Sequence, residues 1–130
     1  MEKNNIISKK MIYTSYFANI KKLPKNIILI SICGKAPNGY TGLQYKKLAP
    51  KYEFFIKWKD THDNDYYIRY FNEQVLSHLD PQTVADELLS HTSETQKDVC
   101  LICYEQPEAF CHRHLVADWF NKNGIECKEW

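Results

Sequence analysis

Residues Asp98 to Tyr104 have the sequence DVCLICY. Its nearly continuous apolar run is typical of a strand that is covered on both faces, as in a parallel sheet. Asn26 to Cys33 repeats this pattern, and Met11 to Phe17 is aromatic and β-branched. Ile125 to Trp130 is a candidate for a short edge strand. These four segments predict a largely parallel sheet.

Helices are predicted between and after these strands. Asp65 to Leu79 carries an apolar residue at every fourth position, which indicates one buried helix face. Asp80-Pro81 is an N-cap followed by proline at the first helical position, and it opens a second helix through about Ser90. A last helix is expected from about Glu108 to Asn123, where Gly124 supplies the stop. The alternation predicts a small three-layer, Rossmann-like α/β fold with a mostly parallel sheet flanked by helices, in one domain over residues 1–130.

Charge is distributed very unevenly along the 130 residues. Residues 1–59 hold twelve lysines and two glutamates, a net charge of +10, whereas residues 60–130 hold five cations and fourteen carboxylates, a net charge of −9. With 44% hydrophobic and 25% charged residues, the chain is typical of a globular protein and not of a disordered one. The asymmetry favours an anionic partner, either a small molecule or a nucleic acid.

The compartment is predicted from apolar runs and cysteines. No secretory signal is visible, and the longest apolar stretch, Ile27 to Cys33, is far shorter than the roughly 20 residues of a membrane span. Five cysteines are an odd number, which disfavours a disulfide framework. We therefore expect a cytoplasmic protein with reduced thiols and no membrane partner.

Ligands of parallel sheets bind at the carboxyl ends of the strands, which directs attention to the loop from Cys33 to Gly42. This loop contains three glycines and one lysine, but its glycine spacing matches neither a Walker A nor a dinucleotide-binding fingerprint. We expect Gly34, Lys35 and Tyr40 to contact an anionic ligand. An ordinary turn would explain Asn38-Gly39 equally well.

The second candidate segment follows the third strand. Cys111, His112 and Arg113 fall near the start of the last helix, where free N–H groups and the helix dipole stabilise anions and lower the pKa of a cysteine. Arg113 would hold the anion, Cys111 would serve as nucleophile or pocket wall, and Glu105 or His112 would transfer protons. The structural alternative is an arginine paired with Glu105 or Glu108 and a cysteine packed as a small hydrophobe.

The segment Leu101 to Leu115, LICYEQPEAFCHRHL, resembles the signature of the domain-of-unknown-function 488 family. That signature is an apolar strand that ends in Cys-x-Glu, a short loop, and Cys-His-Arg at a helix start. The resemblance implies an α/β sandwich with a pocket lined by Cys103, Glu105, Cys111, His112 and Arg113. Longer members carry Asp-Val-Arg after the second strand, whereas this chain has Ser31 to Lys35, SICGK. The resemblance implies no particular reaction.

Three functional hypotheses follow. The first is an enzyme or ligand-binding protein for a phosphate-bearing nucleotide or nucleic-acid moiety, with no cofactor. The second is a nucleic-acid-binding accessory protein that uses the lysine-rich N-terminal half. The third is a zinc-supported interaction module built from Cys100, Cys103, Cys111, His112 and His114. Against zinc, Cys100 and Cys103 point to opposite faces of a strand, and His112 and His114 lie about 200° apart on a helix. We therefore expect no metal site.

Overall fold

The computed structural model describes residues 10–105 and 109–130. At its centre lies a five-stranded sheet in the order β3-β2-β4-β1-β5, with parallel pairing throughout. The strands are β1 (Ile12–Tyr16), β2 (Ile27–Ser31), β3 (Leu43–Gln44), β4 (Asp98–Cys103) and β5 (Cys127–Glu129). The four predicted strands are confirmed, and β3 is an additional short edge strand that the sequence did not reveal.

Four α-helices follow the strands: α1 (Tyr52–Thr61), α2 (Asn64–Gln74), α3 (Pro81–Leu89) and α4 (His112–Lys122). The carboxylate of Asp80 accepts a hydrogen bond from the Thr83 amide at 2.9 Å, so the predicted cap of α3 is confirmed. The helix predicted to reach Leu79 ends at Gln74, and a 3₁₀ turn over Leu76–His78 continues its buried face.

The two faces of the sheet are covered differently. On one face, Val99 and Leu101 of β4 pack in a core cluster that includes the buried residues of α1, α2 and α3 together with Val116 of α4. On the other face, Cys100 and Ile102 pack with Leu23 and Ile27 and with residues of a 3₁₀ helix over Phe17–Lys22. The sheet is thus flanked by helical segments, which confirms the small Rossmann-like α/β fold.

The start of α4 differs from the prediction. The expected start near Glu108 lies outside the described residues, but Cys111 is extended (φ −155°, ψ 141°) and the helix begins at His112. The residue before Cys111, Phe110, packs against the rings of Trp58 and Tyr67, with centroid distances of 5.5 and 5.0 Å.

The central strand β4 carries the candidate site to the middle of the sheet. Because all the strands are parallel, the segments after β2 and β4 emerge at the same edge, next to each other. Across residues 10–105 and 109–130, the helices are too short or too polar to cross a bilayer.

Candidate functional site

A cavity of about 720 Å³ opens at the carboxyl ends of β2 and β4. We call it the aromatic cavity, because six of its lining residues are Tyr52, Phe55, Trp58, Tyr67, Tyr104 and Phe110. Its charged lining residues are Lys35, Lys59 and Glu105. This volume lies within the range of roughly 300–1,000 Å³ that is usual for small-molecule sites.

Two thiols and an imidazole line the same cavity. Cys103 is the last residue of β4, Cys111 is the N-cap of α4, and His112 is the first residue of that helix. The Sγ atoms of Cys103 and Cys111 are 2.6 Å apart, and Cys103 Sγ lies 3.2 Å from His112 Nδ1. All three side chains are buried. We call Cys103, Cys111 and His112 the thiol–imidazole cluster.

The hydrogen bonds fix the proton positions in this cluster. His112 Nε2 lies 2.8 Å from the carbonyl oxygen of Ile32, which can only accept, so Nε2 carries the proton. In the neutral ring Nδ1 is then an acceptor, and the Cys103 thiol donates to it. The Cys111 thiol donates in turn to Cys103 Sγ. A thiol beside a base is the arrangement that generates nucleophilic thiolates.

Cys111 differs from the expectation for a cysteine at a helix N-terminus. Its hydrogen bond with Cys103, together with burial, raises the pKa of its thiol to about 12. These effects outweigh the favourable neighbourhood of His112, which acts in the opposite direction. The predicted lowering of the pKa is therefore wrong, and Cys111 keeps its proton near neutral pH.

Arg113 is not on the cavity wall but is completely buried. Its guanidinium pairs with the carboxylate of Glu129 on β5, through Nε at 3.1 Å and Nη2 at 2.9 Å, and Nη1 donates to the carbonyl oxygen of Glu105. We expected Arg113 to lie beside an anionic ligand, but its guanidinium is buried and paired with Glu129 instead. Of the two alternative partners, Glu105 contributes its carbonyl oxygen and not its carboxylate, and Glu108 lies outside the described residues; the carboxylate that pairs with Arg113 is that of Glu129.

A family model described as "DUF488-N3a: Active DUF488-N3 subclade" matches residues 16–124. The chain belongs to the DUF488 family. Searches of the curated proteins and of the solved structures gave no match.

The DUF488 signature residues separate into two groups in space. Cys103, Glu105, Cys111 and His112 line the aromatic cavity, as the resemblance implied. Arg113 lies behind them, and its bond to the Glu105 carbonyl connects the end of β4 to α4. Arg113 thus connects the end of β4, where Cys103 and Glu105 lie, to the start of α4, where Cys111 and His112 lie.

The loop after β2 contributes two of its three predicted residues. Gly34 and Lys35 line the cavity, whereas Tyr40 does not. The Tyr40 hydroxyl donates to the carbonyl oxygen of Leu43 at 2.6 Å, and its ring packs against Phe17 at 5.5 Å. Tyr40 is held by the loop's own turn, where Gly39 has φ +88°, as predicted for Asn38-Gly39.

Helix α1 supplies a wall that the sequence analysis missed. Tyr52, Phe55 and Lys59 recur at three- and four-residue spacing and share one face of the helix, next to Trp58. Phe54, on the other face, packs in the core. The three-residue spacing of Tyr52 and Phe55 is the sequence signal that could have identified this cavity-facing side of the helix.

Proposed function

We propose that this DUF488 protein is an enzyme that acts on a phosphate-bearing nucleotide or nucleic-acid moiety in the aromatic cavity. The observation that carries the proposal is the combination of aromatic walls, two lysines and the thiol–imidazole cluster in one cavity. The description of the family model as an active subclade also favours an enzyme over a passive binding module.

Aromatic walls suit a planar base. Stacking on an aromatic side chain stabilises a bound base by about 1–3 kcal/mol and tolerates different bases. Tyr52 is 73% exposed, which leaves much of its surface available to a ligand. A second aromatic lining residue, Tyr104, is held in place, because its hydroxyl donates to the Lys35 carbonyl oxygen at 2.6 Å and its ring packs against Phe17.

Two lysines supply the charge for a phosphate. Lys35 follows Gly34 in the loop after β2, and Lys59 lies on the cavity face of α1. Lys59 also lies over the Phe55 ring, 5.7 Å from its centroid. Because Arg113 is paired with Glu129, we assign the binding of the anion to Lys35 and Lys59.

The reacting groups are those that line the cavity and handle protons. His112 has a fixed tautomer, and Cys103 is the thiol in direct contact with it. Glu105 adds a carboxylate two residues after Cys103. We assign Arg113 a positioning role, because it bonds to the backbone of Glu105 and does not line the cavity.

The test is a substrate panel with matched lysine variants. The protein is incubated with mononucleotides of each base and with short oligonucleotides, and products are identified by mass. We expect turnover of at least one nucleotide, weakened about tenfold or more in kcat/KM by Lys59→Gln. Lys57→Gln is the control, because Lys57 lies on the same helix but over the Tyr66 ring and outside the cavity lining.

Two results would contradict the proposal. One is the absence of any turnover across the panel with fully folded protein. The other is turnover that Lys57→Gln and Lys59→Gln reduce equally, which would favour the lysine-rich N-terminal half as a general nucleic-acid surface.

A further inference from the structure

Three soft donor atoms lie close together at the end of β4. Cys103 Sγ, Cys111 Sγ and one ring nitrogen of His112 all lie within 4.8 Å of one another. Thiolate sulfur and imidazole nitrogen are the ligands that zinc prefers in proteins. We propose that the thiol–imidazole cluster binds Zn²⁺ and leaves one coordination position open to the aromatic cavity.

The histidine is oriented as a metal ligand. Its Nε2–H bonds to the Ile32 carbonyl oxygen, which leaves Nδ1 to face the sulfur atoms. Zinc-binding histidines almost always donate the second ring N–H to a carbonyl or carboxylate, which fixes the tautomer and the direction of the ring. This second contact is built into the fold, since Ile32 directly follows β2.

The sulfur atoms need only a small movement. They are 2.6 Å apart, whereas two sulfurs on one tetrahedral zinc, at about 2.3 Å from it, lie roughly 3.8 Å apart. Binding therefore separates them by about 1 Å. Each thiol loses its proton to solvent as its sulfur–zinc bond forms, so the ion's charge compensates two thiolates that would otherwise repel each other.

The fourth position distinguishes this site from a structural zinc module. Within residues 10–105 and 109–130, the group contains three protein ligands, and all three line the cavity. Structural zinc sites are closed by four protein ligands, whereas catalytic sites keep a water in the fourth position. The open position therefore places a metal-bound water where a ligand enters.

Glu105 gives the open position a chemical partner, and this part of the inference rests on the proposed function. In zinc deaminases that act on nucleobases, one histidine and two cysteines hold the ion and a glutamate that is not a ligand moves protons. Here the spacing Cys103-Tyr104-Glu105 puts a carboxylate on the same cavity. With Cys103 and His112 serving as ligands, Glu105 would be the residue that accepts a proton from a bound water, and the ion would supply the activation of that water.

The site departs from the sequence expectation of no metal. Both objections to the larger ligand set hold, because Cys100 packs on the opposite face of the sheet and His114 lies about 200° around α4 from His112. Cys103, Cys111 and His112 remain, and three ligands are enough for a zinc site of the catalytic type.

The experiment uses Co²⁺ as a spectroscopic substitute for Zn²⁺, on the full chain with its thiols kept reduced. We expect equimolar binding, a thiolate-to-cobalt charge-transfer band, and the visible bands of tetrahedral cobalt, all abolished by one equivalent of Zn²⁺. Cys111→Ala removes one of the three protein ligands, so we expect it to abolish the tetrahedral cobalt spectrum at equimolar metal. Cys100→Ala is the matched control, because Cys100 is equally buried but faces away from the cavity, and it retains the spectrum.

A second measurement keeps the test decisive if Cys111→Ala fails to fold. All five cysteines are buried, so the readout is the change in alkylation rate on adding Zn²⁺ to the wild-type protein: the rates at Cys103 and Cys111 fall, whereas those at the other three cysteines do not change, as read by peptide mass. The site is refuted by octahedral or absent cobalt bands in folded wild-type protein, or by a Zn²⁺-dependent fall in alkylation that occurs at other cysteines and not at Cys103 and Cys111. Lys59→Gln retains the cobalt spectrum, so a failure of nucleotide turnover and a failure of metal binding are distinguishable.

Discussion

The guanidinium of Arg113 and the carboxylate of Glu129 form a two-point ion pair, at 3.1 and 2.9 Å, between α4 and the edge strand β5. Glu129 also accepts a hydrogen bond from Thr14 on β1 at 2.6 Å. The guanidinium lies 5.6 Å from the ring centroid of Tyr16. One arginine thus connects a helix, two strands and the carbonyl of Glu105, directly behind the cavity.

Arg113→Ala is therefore expected to destabilise the protein. The substitution removes the hydrogen bonds that the buried guanidinium donates to Glu129 and to the Glu105 carbonyl oxygen, and it leaves Glu129, whose side chain is 27% exposed, to water, at a cost of about 1.5–3 kcal/mol. The free energy of unfolding from urea denaturation measures the effect. Lys122→Ala is the control, because its ion pair with Asp118 on the same helix is exposed and contributes about 0–1 kcal/mol. Wild-type stability combined with lost ligand binding would restore Arg113 as an anion-binding residue.

Tyr52→Ala is expected to weaken nucleotide binding without weakening the fold. Tyr52 lies on the cavity face of α1 and is largely exposed, so its removal changes stability by no more than about 0.5 kcal/mol. The loss of one stacking surface costs about 1–3 kcal/mol of affinity, measured by calorimetric titration. Ile56→Ala, partly exposed on the same helix and outside the cavity lining, leaves the affinity unchanged. An equal loss in both variants would argue against stacking on Tyr52.

Gly42→Ala is expected to act on stability alone. A Cβ at this position would lie 2.3 Å from the Tyr40 hydroxyl and 3.0 Å from the carbonyl oxygen of Leu29, so Tyr40 must leave its bond to Leu43. Overpacking of this kind costs about 1–3 kcal/mol in thermal or urea unfolding. Nucleotide affinity stays close to that of the wild type, because Tyr40 does not line the cavity. A selective loss of affinity would instead return Tyr40 to the ligand site.

Gly34→Ala provides the opposite case. Its Cβ would meet no atom within 4 Å, so stability stays within about 0.5 kcal/mol of the wild type. Because Gly34 lines the cavity, the added methyl group reduces the space for a ligand and lowers nucleotide affinity. The two glycine variants together separate the supporting and binding parts of this loop.

The sequence was sufficient for four of the five strands and for much of the cavity lining, because both depend on local patterns. The apolar runs of β2 and β4 identify buried parallel strands, and their ends identify the edge where Lys35, Cys103 and Glu105 meet. Helix α1 was not predicted from the sequence. Its aromatic residues lie on two faces, with Phe54 in the core and Tyr52 and Phe55 at the cavity, so it lacks the single apolar stripe that is typical of a surface helix.

The role of Arg113 depends on a long-range contact and was not accessible to local reasoning. Glu129 reaches Arg113 only because β5 pairs with β1, where Thr14 is aligned with Glu129. The proton order in the cluster likewise depends on the Ile32 carbonyl, which the fold brings to His112 from 80 residues away in sequence.

Nucleotide binding in the aromatic cavity is tested most directly by titrating the ¹⁵N-labelled protein with a 5′-mononucleotide and mapping the changes in amide chemical shift. We expect saturable shifts centred on Gly34, Lys35, Lys59 and His112, where base and phosphate enter the aromatic cavity. Nucleotide binding in the aromatic cavity would be contradicted by shifts confined to lysines outside it, such as Lys21, Lys22 and Lys25. The absence of shifts at millimolar nucleotide would contradict it as well.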